Sequence, residues 1–366
     1  MKAIIVGGGI GGLATAIALD RSGWQVEVLE RAPEFTEVGA GLAVLPNALR
    51  ALDRLGLGEE VQRRALDQAP VGIKDVTGRW LSRNDATELR RRYGQWAMLH
   101  RADLLEVLRA AVPAEALRPG VTVREVHRDG AVVHSDGTTA ADLVVGADGI
   151  GSTTRRSIWG PQPAPRYAGY STWRMIVATR PVGEAAETWG RGERFGYSPL
   201  PDGRTYCYAM VNAPQSRGGG LTELRARFRG WHAPIPALLG AAQEADVLHH
   251  DTYELPDLDT YVAGKVALVG DAAHAMTPNL GQGACQALED AVVLASAVAG
   301  AGPAGLADYD RLRRPRTQMI VRRSRRIGEL AHWSAAVPVA ARNAAMRLMP
   351  RSSLTRSMGP VVGWAP

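Results

Sequence analysis

"KAIIVGGGIGGLATAIALDRSGWQVEVLE", residues 2–30, decides the fold. An apolar run, Ala3–Val6, meets a cluster of glycines and reads as a buried strand. "IGGLATAIALDRSG" then reads as a helix closed by Gly23, and "QVEVLER" as a second strand. Gly7, Gly9 and Gly12 form G-x-G-x-x-G between the first strand and the helix. In this pattern the first glycine permits a tight turn and the second lets backbone approach a pyrophosphate. The third lets helix and strand pack closely. The helix start offers free N–H groups and a partial positive charge to phosphate. Glu30, eighteen residues beyond Gly12, ends the second strand, where its carboxylate can accept from both hydroxyls of an adenosine ribose. The stretch also imitates a signal peptide, with Lys2, an apolar run and small residues, but the βαβ reading accounts for more of it. By itself the pattern does not separate NAD from FAD.

Two further strand–turn motifs lie downstream. "DLVVGADGIGSTTR", 142–155, ends a strand at Asp148-Gly149 and continues to Ser152 and Arg155. "VALVGDAAHAMTPNLGQGACQALED", 266–290, ends one at Gly270-Asp271 and opens a helix after Pro278. Between the first two motifs lie amphipathic helices, "LPNALRALDRLGL" and "RADLLEVLRAAV". Alternating strands follow, with turns at Asp129-Gly130 and Asp136-Gly137. The middle, roughly 166–256, carries strand-like "RFGYSPL" and "RTYCYAMV". The expectation is an α/β fold: a Rossmann-type FAD-binding domain, an inserted antiparallel-sheet substrate domain and C-terminal helices. The FAD-binding domain is expected to be discontinuous, over 1–72, 98–165 and 257–335. The substrate domain takes 73–97 and 166–256, and a helical tail takes 336–366.

At 366 residues with 46% hydrophobic side chains the chain can bury a large core. Its two cysteines, Cys207 and Cys285, give no disulfide framework and no metal spacing, which fits a reducing cytoplasm. No apolar run reaches the roughly 20 residues of a membrane span. The net charge of +6 is carried by arginine, lysine occurring only at 2, 74 and 265. The run "RLRRPRTQMIVRRSRR", 311–326, reads as a solvated helix face with some buried arginine stems, in preference to a nucleic-acid patch. A monomer or a homodimer is expected.

The three motifs in this order resemble the FAD-dependent aromatic monooxygenases related to para-hydroxybenzoate hydroxylase, salicylate hydroxylase and urate hydroxylase. The resemblance covers nearly the whole chain and is closest in 1–50 and 264–291. It implies that the adenosine diphosphate end of FAD lies on Gly7, Gly9, Gly11, Gly12, Glu30 and Arg31. Gly41, Ala43, Arg101 (in "HRADLLEVL"), Val126 and Asp148 would contribute further contacts. Asp271 would accept from a ribityl hydroxyl. Gly281 would contact the cofactor too, and the N–H groups of Gly283, Ala284 and Cys285 would face the flavin's pyrimidine edge, where a helix N-terminus favours negative charge by about 0.3–1 kcal/mol. The activity implied is NADH- or NADPH-dependent insertion of one oxygen atom of O2 into an aromatic or heteroaromatic small molecule, through a flavin hydroperoxide. No catalytic triad and no metal are expected, because the cofactor carries the hard step. The nicotinamide cofactor would bind transiently, without a Rossmann domain of its own.

Alternation in "GRTYCYAM", 203–210, places Arg204, Tyr206, Tyr208 and Met210 on one strand face. Arg204 resembles the arginine by which the urate type holds its anionic purine. Tyr206 and Tyr208 are candidates to stack on a planar ring, with ordinary sheet packing as the alternative. Pro278, and Trp173 and Arg174 in "YSTWRM", are further substrate candidates; the urate type lacks the arginine at 174. His274 is expected to be scaffold rather than base, and Cys285 packing rather than redox. An epoxidase or reductase of the same superfamily remains an alternative, as does a non-catalytic flavin or NAD sensor. A halogenase lacks its tryptophan motif here.

Overall fold

The structure is a computed structural model describing residues 1–35, 40–67, 72–179, 182–217 and 219–366. Two sheets dominate it. The first has six strands in the order Val262–Ala263, Val266–Leu268, Leu143–Gly146, Lys2–Val6, Gln25–Glu30, Leu117–Pro119. All its pairs are parallel except the edge pair of Val262–Ala263 with Val266–Leu268. The apolar runs that end in glycine at 7, 146 and 270 are thus adjacent strands, and their turns share one end of the sheet. Each strand is buried on both faces, which is why the sequence shows continuous apolar runs there rather than alternation.

The helix Ile10–Arg21 leaves the first turn and is buried from Ile10 to Leu19 apart from Gly11, which is partly exposed. The long helix Gly283–Val298 packs along it. A Cβ on Gly11 would lie 3.2 Å from the Ala287 Cβ, and so would a Cβ on Gly270. One alanine methyl therefore fills the gap between the two glycine turns. Any larger residue at 11 or 270 would push the helices apart.

The second sheet has seven strands in the order Leu248–Glu254, Arg166–Val177, Thr205–Asn212, Glu193–Pro199, Ala186–Trp189, Gly72–Asp75, Trp80–Arg83. It joins strands from two separated stretches of chain. It departs from the expected antiparallel arrangement at one seam, where Ala186–Trp189 runs parallel to Gly72–Asp75. Its outer face carries Trp173, Met175, Phe195, Tyr197, Cys207 and Ala209, covered by the helices Leu221–Phe228 and Ile235–Ala241. Its inner face carries Tyr170, Arg174, Arg194, Tyr206, Tyr208 and Met210, in register across three strands.

The hairpin strands Val123–Val126, Ala131–His134 and Gly137–Ala140 form a small antiparallel sheet, as the turn dipeptides predict. The basic run lies in the helix Leu306–Ala331, where Arg313 is 1% exposed and salt-bridged. Among the described residues no helix is long and apolar enough to cross a membrane.

Candidate cofactor and substrate site

The three fingerprint glycines occupy three different environments. Gly7 has φ +105°, and a Cβ there would lie 2.5 Å from the Ala147 carbonyl oxygen. Gly12 lies so close to the strand that a Cβ would come within 1.9 Å of the Gly7 oxygen. Around Gly9 nothing lies within 4 Å of a Cβ. Two of these glycines are required by packing. The third keeps the helix start open to solvent, where a ligand can approach the N–H groups. Glu30 accepts from Gly8 N at 2.6 Å and from Ala32 N at 2.8 Å. Those bonds fix the carboxylate and leave lone pairs for two hydroxyls. Arg31 is exposed beside it, while the Val126 side chain is buried in an apolar cluster with Ile4, Val6 and Leu29.

Asp148 is held within its own loop. It accepts from Ser152 Oγ at 2.5 Å, and from Thr154 N at 2.9 Å and Oγ1 at 3.1 Å. The loop then delivers Arg155, 3% exposed, whose guanidinium donates to the Ala272 carbonyl at 2.9 Å. The second motif thus braces the third. Both Asp148 carboxylate oxygens accept bonds from this loop.

At the third turn, Gly270 has φ +58° and donates its N–H to Asp290 Oδ2 at 2.9 Å. Asp271 is exposed and its carboxylate makes no hydrogen bond with any described residue. It faces the start of the Gly283–Val298 helix, where a Cβ on Gly283 would lie 3.9 Å from Asp271 Oδ1. That helix has no side-chain cap and no acid in its first turn, and the same holds for Ile10–Arg21. Two adjacent helices therefore present uncapped positive ends, with the Asp271 carboxylate beside one and the Glu30 carboxylate beside the other. This donor set fits a long ligand with a pyrophosphate, a ribose and a second polyhydroxyl chain. Gly281 is exposed with φ +61°, and Ala43, on the strand Gly41–Val44, is exposed nearby. Cys285 is 1% exposed, and burial pushes its thiol up to about 12, which favours the neutral thiol.

Behind the turn lies a buried polar network the sequence reading did not identify. His274 Nε2 lies 2.6 Å from Asp290 Oδ2, and Arg313 Nε donates to Asp290 Oδ1 at 2.7 Å. Glu289 takes Asn47 Nδ2 at 2.7 Å and Arg316 Nε at 2.7 Å, and also pairs with Arg313. Burial pushes Asp290 up, but His274 and Arg313 overcome it and hold the carboxyl at about 2. His274 is 2% exposed against Asp290, and its Nδ1 has no partner among the described residues. The signal for this network was the "ED" pair closing the motif, charged residues at helix positions that face the core.

The inner sheet face meets the cofactor elements at two places. A Cβ on Gly41 would lie 2.5 Å from Tyr206 Cγ, so Tyr206 rests on the Gly41–Val44 strand. The 3-10 turn Pro278–Leu280 meets the other end, where Asn279 Oδ1 accepts from Tyr170 OH at 3.4 Å and from Arg194. Arg194, 1% exposed, also pairs with Glu187 at 3.0 Å and contacts Met210, and its Nε is unpartnered. Glu187 in turn accepts from Tyr208 OH at 2.7 Å. Sequence reasoning missed Arg194, although alternation in "ERFGYSP" sets it opposite the outward Phe195 and Tyr197. Arg174 faces inward beside Tyr208. Trp173 faces the other way: it stacks on His249 at 4.5 Å and donates Nε1 to the Gly219 carbonyl. Neighbouring residues of a strand point to opposite faces, so Trp173 and Arg174 cannot both line the site. Arg204 precedes its strand. It is half-exposed and paired with Asp202 at 2.7 Å.

The sequence profile of a family described as an FAD binding domain matches residues 1–324. Relatives include the aurachin C monooxygenase/isomerase of Stigmatella aurantiaca, 37% identical over 369 residues, covering 95% of this chain and 94% of that protein. An FAD-dependent urate hydroxylase of Mycolicibacterium vanbaalenii is 35% identical over 354 residues, covering 91% and 89%. Among solved structures, Klebsiella pneumoniae HpxO complexed with FAD and uric acid superposes with a TM-score of 0.92. It is 29% identical and covers 100% of this chain and 97% of that one.

Proposed function

The chain belongs to the FAD binding domain family and is a flavoprotein monooxygenase, and from that premise we propose that it takes electrons from NADH or NADPH and inserts one oxygen atom of O2 into an aromatic or heteroaromatic small molecule. The observation that carries this reading is the pair of adjacent uncapped helix starts, with Glu30 beside one and Asp271 beside the other. FAD, when bound, supplies the redox chemistry that accepts a hydride and activates oxygen.

The chain's own residues bind, orient and exclude water. The Gly9 turn would hold the pyrophosphate, Glu30 the ribose and Asp271 a ribityl hydroxyl. The N–H groups at Gly283, Ala284 and Cys285 favour negative charge at their helix start. Arg101 starts the helix Arg101–Ala110, and its backbone N–H donates to the Ala40 carbonyl at 2.8 Å, which places it at the end of the Gly41–Val44 strand. The substrate would lie against the inner face formed by Tyr206, Tyr208, Met210 and Arg174, with Pro278 at its edge. Burial raises both tyrosines, so they remain protonated hydrogen-bond donors at neutral pH.

The test is direct. Purified protein should be yellow and carry a single non-covalent FAD per chain. A panel of phenols and heteroaromatics should include compounds that stimulate its NAD(P)H oxidation and gain one oxygen atom by mass spectrometry. Absence of flavin after incubation with FAD sinks the cofactor assignment. Flavin with no stimulated oxidation by any ring compound sinks the hydroxylase assignment.

A further inference from the structure

Two arginines on the inner sheet face differ in one respect. Arg194 is buried, and its charge is met by Glu187 and Asn279. The Arg174 guanidinium makes no hydrogen bond or ion pair with any described residue, although the residue is half-buried. Register sets it beside Tyr208 on one side and Leu248 on the other. Its charge acts on two further groups of the same face, Tyr206 and His250. Tyr206 bears on the Gly41–Val44 strand, so Arg174 is within electrostatic reach of the contact between sheet and cofactor domain. A guanidinium with no hydrogen-bond partner on a half-buried face keeps its N–H groups available to an incoming anion. No described carboxylate bonds to it, and Glu187 on this face is already taken by Tyr208, Trp189 and Arg194.

We propose that Arg174 is the anchor for a carboxylate carried on the aromatic ring of the substrate, so that the enzyme takes aromatic acids in preference to neutral rings. The inference rests on the monooxygenase reading of the site. A guanidinium presents a planar fork that matches a carboxylate with two parallel hydrogen bonds. Tyr206 and Tyr208, with ring centroids 6.0 Å apart, border the space in which the ring would lie. Arg204 is the poorer anchor, because Asp202 already occupies its guanidinium through Nε.

The experiment uses the FAD-loaded protein and equilibrium binding rather than turnover. Benzoate and salicylate are compared with benzamide and salicylamide by calorimetry and by perturbation of the flavin spectrum. Wild type should bind the acids about tenfold or more tighter than the amides, the worth of one charge-assisted contact. R174Q should erase that preference with FAD content and melting temperature unchanged, and R174K should keep part of it. If R174Q fails to fold, R174K decides: a preference reduced severalfold supports the proposal and an undiminished one overturns it. Equal affinity for acids and amides in wild type, no binding of either, or an acid preference that survives R174Q overturns it too. So does loss of the preference in R204Q instead. Failure of the underlying reading is separately visible, as protein without flavin or without aromatic-stimulated NAD(P)H oxidation.

Discussion

Asp271 and the fingerprint glycines are where single atoms decide binding. Asp271 is a free, exposed carboxylate at a turn held from behind by Asp290 and Arg155. Its removal leaves the scaffold intact, so Asp271→Ala should weaken FAD binding by about 1.5–3 kcal/mol, the worth of a hydrogen bond to a charged group. Titration of apoprotein with FAD, followed by fluorescence, measures this, and an unchanged dissociation constant would show that Asp271 is not a ligand. The glycines make a sharper pair. Gly12→Ala drives a methyl to within 1.9 Å of the Gly7 oxygen and should destabilise the fold by about 1–3 kcal/mol. Gly9→Ala adds a methyl in open space and should leave the apoprotein's melting temperature near wild type while weakening FAD. The opposite pattern, a destabilised Gly9 variant that binds FAD normally, would assign Gly9 to packing.

At the scale of elements, the helix Gly283–Val298 does two jobs with its first two turns. Its first turn is uncapped and holds no acid, which leaves N–H groups for a ligand. Its second turn carries Glu289 and Asp290 into the core, where they meet Arg313 and Arg316 from the helix Leu306–Ala331. The network ties the cofactor turn to the long basic helix, so part of the arginine run is structural and not a surface patch. Arg313→Met leaves two buried carboxylates with less counter-charge and should cost about 3–5 kcal/mol. Chemical denaturation reads this out. A loss below 1 kcal/mol would mean that the network contributes little to stability.

For the whole molecule, His332 and Asp290 are the two buried groups whose lowered pKa values weigh most on the response to acid. His332 stacks on Tyr170 at 4.0 Å and is 9% exposed. Burial, aided by the Arg194 charge, lowers its pKa from 6.5 to about 2. Asp290 is lowered from 3.8 to about 2. Both folded values lie below the unfolded ones, so the unfolded chain binds more protons as pH falls. Their stabilisation is complete above about pH 6.5 and is lost on acidification. His332 contributes a slope of at most ~1.4 kcal/mol per pH unit down to about pH 4, alongside His250, whose pKa burial and the Arg174 charge also lower, and Glu289 and Asp290 join below that. Denaturant melts between pH 7 and 4 should show this slope, and His332→Gln should flatten it. A slope unchanged in the variant would locate the acid sensitivity elsewhere.

The cofactor half was legible because its chemistry is local. A strand, three glycines, a helix start and a terminal carboxylate fall within thirty residues of each other, and chain geometry alone brings them together. The Arg204 pairing was legible too, had the turn been weighed: Asp202 lies two residues before it in "PDGR", close enough to claim the guanidinium. The inner face was only half legible. Alternation tells which residues share a face, but not which face turns inward, because the period of two is the same either way. That choice came from long-range pairing, which set Trp173 under the outer helices and Arg174 beside Tyr208. Likewise Arg194 meets Asn279 across eighty-five residues, and Asp290 meets Gly270 through a turn of the backbone that no spacing rule describes. The sequence by itself determined the βαβ unit and the three turns. Tertiary structure decided which charges are neutralised and which are left for a ligand, since a charge is satisfied by its neighbours in space.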